Sequence, residues 1–300
     1  MKQSAESPLI EVGVLEMDKA QVQRSFSQNA ITYDQYAVVQ KEMARELLLK
    51  IRSTGKYFRN ILEIGCGTGF LTELLAREYP LAQITATDIA PEMIVVAKEK
   101  LAVFSNINYF VADGENLLVD KESLEPPFEL SFDLIVSNAV FQWFTDYTAA
   151  FIQFHDYLEP GGYLIFSTLG AGTFKELYVC LNDVQNGKSP GILGEHKIHN
   201  KKEVFINRKH LQQVMLNARF QFGGVEEVTK VEYFNSSRYF LRALKMIGAH
   251  NYLTEELAAQ KLGSGIFSLI KSYDAMFLDE RGVPATYQCL FGWGQRALHL

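Results

Sequence analysis

Apolar and polar positions change rhythm along the 300 residues. Residues 40–52, Gln-Lys-Glu-Met-Ala-Arg-Glu-Leu-Leu-Leu-Lys-Ile-Arg, carry apolar side chains at helical spacing and predict an amphipathic helix. After Gly55 the pattern shortens. Apolar runs at 61–65, 83–88, 107–112, 132–137 and 162–168 alternate with helical stretches at roughly 70–79, 91–104 and 146–158. Pro91 falls in the first turn of its helix, where a missing N–H costs nothing. Runs of Ile, Val, Leu and Phe alternating with helices predict an α/β fold, a parallel sheet covered on both faces. Past 168 the rhythm breaks. A helix over Phe174–Val184, a Gly/Pro loop at 186–194 and a helix near His210–Ala218 precede apolar strands at 225–234 and 285–293, with helical sequence over 236–278 between those strands.

Ligands of such sheets bind outside the carboxyl ends of the strands, and the polar candidates fall there: Gly65–Gly69, Asp88, Asp113 and Asn138. The first strand ends in Gly65-Cys66-Gly67-Thr68-Gly69. Glycine there lets backbone approach a ligand closely. Asp88, closing the second strand, offers two acceptor oxygens to ribose hydroxyls. The pair implies a nucleoside cofactor. In the dinucleotide fingerprint a third glycine meets a pyrophosphate; here that position is Phe70, and the third glycine comes one residue early. Glu63 adds a carboxylate beside the loop, which suits an ammonium and a sulfonium better than two phosphates.

Composition narrows the picture only modestly. Hydrophobic residues at 48% and charged residues at 21% are ordinary for a globular protein. The sequence shows no apolar run long enough to span a membrane and no secretory signal at its start. Three scattered cysteines, Cys66, Cys180 and Cys289, predict a reducing cytoplasm rather than disulfides or a thiolate metal site. A net charge of −6 disfavours nucleic acid as the main partner. His196, His199 and His210 lack carboxylate or cysteine partners at ligand spacing, so no metal is expected.

Leu62-Glu63-Ile64-Gly65-Cys66-Gly67-Thr68-Gly69 resembles motif I of the class I S-adenosylmethionine methyltransferases. The resemblance implies a Rossmann-like, mostly parallel seven-stranded sheet with an antiparallel last strand and helical insertions. It implies S-adenosylmethionine as cofactor, held by Glu63, Gly65, Gly67, Gly69, Asp88, Ile89, Asp113 and Asn138. Ile89 would face the adenine ring and Asp113 would accept from its amino group, while Ser137–Phe144 would lie at the methionine end and the reacting methyl. Phe144 reads as a core aromatic, and Leu158–Gly162 as a turn.

A narrower resemblance rests on Phe26…Ala30…Tyr33-Asp34…Tyr36, Ser137–Trp143, Phe166–Leu169, Leu241–Ala249 and Ala285-Thr286-Tyr287. These are similar to the malonyl-acyl-carrier-protein O-methyltransferases of biotin synthesis, from about Asp18 to Arg296. Leu244–Ala249 is the most selective element. The resemblance implies methyl transfer to the free carboxylate of a malonyl thioester on acyl carrier protein or coenzyme A. Such a carboxylate, with a pKa near ~4, is already ionised and needs no general base. A tight Arg clamp would stabilise the ground state more than the transition state. Neutral donors therefore suit the reaction, and Tyr33, Gln142 and Trp143 are the candidates, with Tyr36 beside them. We expect one domain over 17–300, a loose leader at 1–16, an N-terminal lid at about 17–52, and insertions at about 173–222 and 236–281. Arg238, Arg242 and Lys245 share a helix face and form the expected patch for an acidic carrier protein. The basic residues of 197–210 read as solvated surface. The alternatives are methylation of a small free acid or another small molecule, a noncatalytic S-adenosylmethionine sensor, and a nicotinamide enzyme.

Overall fold

The computed structural model describes residues 18–117, 131–185, 205–248 and 265–298. The predicted leader, residues 1–16, and the basic residues 197–204 lie outside them. All the predicted strands form: β1 (Asn60–Ile64), β2 (Gln83–Asp88), β3 (Ile107–Val111), β4 (Phe132–Asn138), β5 (Leu158–Leu169), β6 (Gln221–Phe234) and β7 (Val283–Gln295). They make one sheet in the order β3-β2-β1-β4-β5-β7-β6. The first five are mutually parallel, and β7 runs antiparallel to both neighbours. After a helical excursion the chain returns beside β6, and β7 thereby fills the space between β6 and β5.

Alternation along the strands distributes side chains to two apolar layers. On one face Ile61, Ile84, Leu134, Val136 and Ile165 pack beneath α3 (Val38–Ser53) and α4 (Phe70–Glu78). On the other, Leu62, Ile64, Ile135, Leu164 and Phe166 pack beneath α6 (Tyr147–Tyr157) and α8 (Arg208–Asn217). Each such fully buried side chain contributes roughly 1.5–3 kcal/mol. Glu63 alternates onto the α4 side, buried with Thr72 among apolar neighbours.

The remaining elements are α1 (Lys19–Asn29), α2 (Tyr33–Tyr36), α5 (Pro91–Lys100), α7 (Lys175–Gln185), α9 (Ser237–Met246) and α10 (Gly265–Phe277). Asp18 caps α1, accepting from the Gln21 N–H at 3.1 Å, and Ser236 caps α9. One expectation is corrected. Leu158–Gly162 is the beginning of β5 rather than a turn before it: Leu158 pairs with Phe132, then the register shifts where Gly161 takes φ +79°.

Candidate functional site

The carboxyl ends of β1, β2 and β4 and the loop after β3 open into a cavity closed on its outer side by α1 and α2. The floor is the glycine turn. Gly65 and Gly67 adopt φ +71° and +54°. A Cβ on Gly67 would meet nothing within 4 Å, so its backbone faces open space. Gly69, by contrast, lies off the cavity: it precedes α4 with φ +87°, and a Cβ there would come within 2.8 Å of Leu101 and 3.2 Å of Ala97. Its expected role in holding a ligand becomes one of packing α4 against α5.

Asp88 is the next wall. Its Oδ2 accepts from the Gly67 N–H and its Oδ1 from the Ala90 N–H, both at 2.8 Å. Burial outweighs these bonds and pushes the carboxyl up to about 6. Ile89 follows in the same wall, its carbonyl accepting from the Gln23 amide at 2.9 Å. Glu63 borders an adjoining cavity on the other side of the glycine turn. It is 1% exposed, its Oε2 has no hydrogen-bond partner among the described residues, and desolvation raises it to about 8. The neighbouring Thr72 hydroxyl offsets this only in part, and a buried carboxylate short of donors is costly unless a cation arrives. An ammonium group beside Gly65 would complete it.

The other expected residues divide by what their polar atoms already do. Asn138 donates to the Gln40 carbonyl at 3.0 Å and accepts from Ser167 at 2.7 Å, so it braces α3 against β4 while lining both cavities. Asp113 lines the first cavity, but Lys19 from α1 donates to its Oδ1 at 3.1 Å and also pairs with Glu115. The carboxylate expected to receive an adenine amino group therefore also holds the cover. Gln142 is turned inward, donating to the Ala139 carbonyl at 2.7 Å and accepting from Thr168 at 3.0 Å. Trp143 is buried edge-on against Phe26, ring centres 5.4 Å apart. Phe144 is a core aromatic, as expected, and also a cavity wall, with the Lys19 ammonium 5.0 Å from its ring centre.

Tyr33 is the hinge point of the arrangement. It borders both cavities and a third, smaller one beyond Trp143. Burial, then Asp88 and Asp34, push its phenol well above its usual range, so it remains a donor. Tyr36 lies outside these linings. Sequence reasoning missed Lys19, Val22 and Met93 as wall residues, and Asp34 and Thr68 as a brace. Phe26 stood in the resemblance without a role. Lys19 and Val22 lie on a helix whose spacing over 18–36 was obscured by polar residues. Arg238, Arg242 and Lys245 stand exposed on one face of α9, outside the cavities. The Lys245 carbonyl accepts from Asn29 at 3.4 Å, which brings the end of that helix to the end of α1. Among the described residues, no cluster of three or more His, Cys, Asp or Glu is arranged for a metal, and no helix is long and apolar enough to cross a membrane.

Comparison with known proteins agrees with this geometry. A methyltransferase domain model matches residues 62–164, the span from within β1 to the middle of β5. A protein of Priestia megaterium is 35% identical over 283 residues, covering 91% of this chain and 96% of its own, and is named malonyl-[acyl-carrier protein] O-methyltransferase. One of Acetivibrio thermocellus with the same name is 35% identical over 281 residues, covering 92% of this chain and 93% of its own. Among solved structures, the YcgJ protein of Bacillus subtilis superimposes with a TM-score of 0.53 at 15% identity, covering 85% of this chain and 99% of that one, and so shares the fold.

Proposed function

The chain belongs to the malonyl-[acyl-carrier protein] O-methyltransferase family, and from that premise we propose which of its residues carry the reaction. The enzyme transfers the methyl group of S-adenosylmethionine to the free carboxylate of a malonyl thioester on acyl carrier protein, in biotin synthesis. The observation that carries the assignment is the buried, partnerless Glu63 Oε2 on one side of the glycine turn with Asp88 on the other. That pair suits an amino acid joined to a nucleoside. In our reading Glu63 holds the ammonium, Gly65 and Gly67 lie against the methionine chain, Asp88 accepts from the ribose, and Ile89 and Asp113 meet the adenine. Asn138 keeps the β4 end in place.

When bound, S-adenosylmethionine supplies an electrophilic methyl on a cationic sulfur. The malonyl carboxylate is ionised at neutral pH and needs no base. What the chain must provide is therefore alignment and exclusion of water. Tyr33, where all three cavities meet, donates to the carboxylate. Trp143 and Phe26 close the space around it. Gln142 acts through its hold on the Ala139 carbonyl and is a positioning residue. Helices α1 and α2 act as the lid of a single domain over 17–300, with Lys19 latched to Asp113 and Glu115.

Arg238, Arg242 and Lys245 form the docking face for the acidic carrier protein. The same helix buries Phe240 and Leu244 and leads directly into Ile247, at the wall of the third cavity. We place the enzyme in the cytoplasm and include malonyl-coenzyme A as a secondary acceptor. Incubation with methyl-labelled S-adenosylmethionine and malonyl-carrier protein, malonyl-coenzyme A or free malonate tests the reading. Label should enter the carrier-bound malonate fastest and as a base-labile ester. Preferential labelling of free malonate would overturn the carrier assignment.

A further inference from the structure

Glu115, two residues past Asp113, carries no role in the reaction as assigned above, yet its carboxylate gathers donors from separate parts of the chain. The side chain is only 9% exposed. Its Oε1 accepts from the Thr145 N–H and the Thr145 hydroxyl, both at 2.7 Å, and from the Asp146 N–H. Its Oε2 meets Lys19 alone among the described residues. Burial pushes the carboxyl up, but Lys19, Asp146 and Thr145 more than offset it and hold it below its ordinary range.

Those donors belong to pieces that must keep their places. Thr145 and Asp146 join the tight turn at 141–143 to α6, and Asp146 caps that helix by accepting from the Ala149 N–H at 2.9 Å. The turn itself carries Gln142 and Trp143. On the other side, the Glu115 N–H donates to Asp113 Oδ1 at 3.0 Å, the same oxygen that receives Lys19. Gly114 lies pressed between: a Cβ there would come within 2.3 Å of Ile64 and 3.5 Å of Phe144. One carboxylate thus joins the loop after β3, the segment leading into α6 and the cover helix α1.

Lys19 occupies an unusual place for a cation. It is the first residue of α1, where a positive charge opposes the helix dipole. The contacts that favour it lie outside its own helix, at Asp113, Glu115 and the face of Phe144.

Resting on the assignment of the first cavity to the cofactor, we infer that Glu115 is a positioning residue for the reaction. Through Oε1 it fixes the cavity wall on the Asp113 side, and through Oε2 it holds α1 shut, so the cofactor leaves only when Lys19 lets go. Taking away Lys19 strands a buried carboxylate, and a half-broken buried pair is worse than no pair. Taking away only the charge of Glu115 leaves an amide oxygen that still accepts from Thr145 and Asp146.

Release of S-adenosylhomocysteine by stopped flow, and hydrogen exchange along α1 in the unliganded protein, test this. Lys19→Met should speed release about tenfold and raise exchange in α1 by a similar factor. Lys19→Arg keeps the charge and should stay within about twofold of wild type. Glu115→Gln should speed release by less than Lys19→Met does. The double variant Lys19→Met/Glu115→Gln should release more slowly than Lys19→Met, the reverse of two accumulating defects. A double variant as fast as the product of the single effects, or Lys19→Arg as fast as Lys19→Met, overturns the role of Glu115. The exchange measurement needs no cofactor, so wild-type protein that fails to bind S-adenosylhomocysteine while showing the same exchange order would instead overturn the cofactor assignment.

Discussion

Thr68, inside the glycine turn, donates its hydroxyl to Oδ1 of Asp34, on the lid helix α2, over 2.8 Å. The same carboxylate receives Lys100 of α5 at 2.5 Å on its other oxygen and lies 3.4 Å from Lys41. Although burial acts against it, these donors hold Asp34 below its ordinary range. Helix α2 is thus bonded to the glycine turn, one residue from Tyr33.

This brace predicts coupled behaviour. Asp34→Ala should weaken S-adenosylhomocysteine about tenfold, the equivalent of one hydrogen bond to a charged group, and lower kcat as well, because Tyr33 shifts with it. Thr68→Val should produce a smaller version of the same change. The double variant should cost less than the sum of the two, since both remove one interaction. Calorimetric titration of the four proteins checks this. Additive losses would show that the two residues act separately.

Glu63 predicts a proton released on binding. Its carboxyl rises to about 8 in the unliganded protein, above its ordinary 4.5, through burial. Below that pH it is largely protonated, and an arriving ammonium favours the carboxylate form. Affinity for S-adenosylhomocysteine should therefore increase from pH 6 to 8, with a proton leaving. Titrations in two buffers of different ionisation enthalpy count it. For the unliganded fold the sign is opposite: Glu63, and Asp88 raised to about 6, bind protons more tightly folded than unfolded. Their stabilisation is complete below about pH 4 and is lost as pH climbs through 6 and then 8. Glu63→Gln should flatten the upper part of that slope and abolish the proton release.

Much of this was legible in the residues because strand period and glycine spacing are local. The runs ending at Ile64, Asp88 and Asn138 give the sheet, and with it the edge on which ligands bind. The lid was harder. Residues of 18–36 are held by tertiary partners, Lys19 at Asp113 and Asp34 at Thr68, and no periodicity announces a bond between positions so distant. Gln142 has the right side-chain type for a donor. Its actual bonds to Ala139 and Thr168 depend on a tight turn at 141–143 that only the fold provides. Gly69 shows the same limit: three glycines share a motif, yet one of them serves helix packing.

The basic face of α9 predicts a substrate-selective defect. Arg238, Arg242 and Lys245 are exposed, so their value lies in steering an acidic partner rather than in stability. Arg242→Glu should lower kcat/KM for malonyl-carrier protein about tenfold at low salt and much less at high salt, as screening removes the field. Turnover of a short malonyl thioester and affinity for S-adenosylhomocysteine should be unchanged. Stopped assays with both acceptors at two ionic strengths decide the matter. An equal loss on the short thioester would remove the face from carrier recognition.

Tyr33 carries the chemical claim most directly. Replacement by Phe keeps the ring that packs 6.2 Å from Phe26 and removes only the hydroxyl. If that hydroxyl orients the carboxylate, kcat/KM at saturating cofactor should fall roughly 10- to 100-fold, the cost of one preorganised donor to a charged group. S-adenosylhomocysteine should bind as before, because in the proposed arrangement Glu63 and Asp88 meet the cofactor's polar groups. The phenol is held well above its usual range by burial and by Asp88 and Asp34. The wild-type rate at saturating cofactor should therefore show no loss attributable to tyrosinate formation up to pH 10. A rate in Tyr33→Phe equal to wild type would shift alignment of the carboxylate to the remaining neutral group at the junction, the indole of Trp143. A fall of rate together with a fall in cofactor affinity would place Tyr33 among the cofactor's contacts instead.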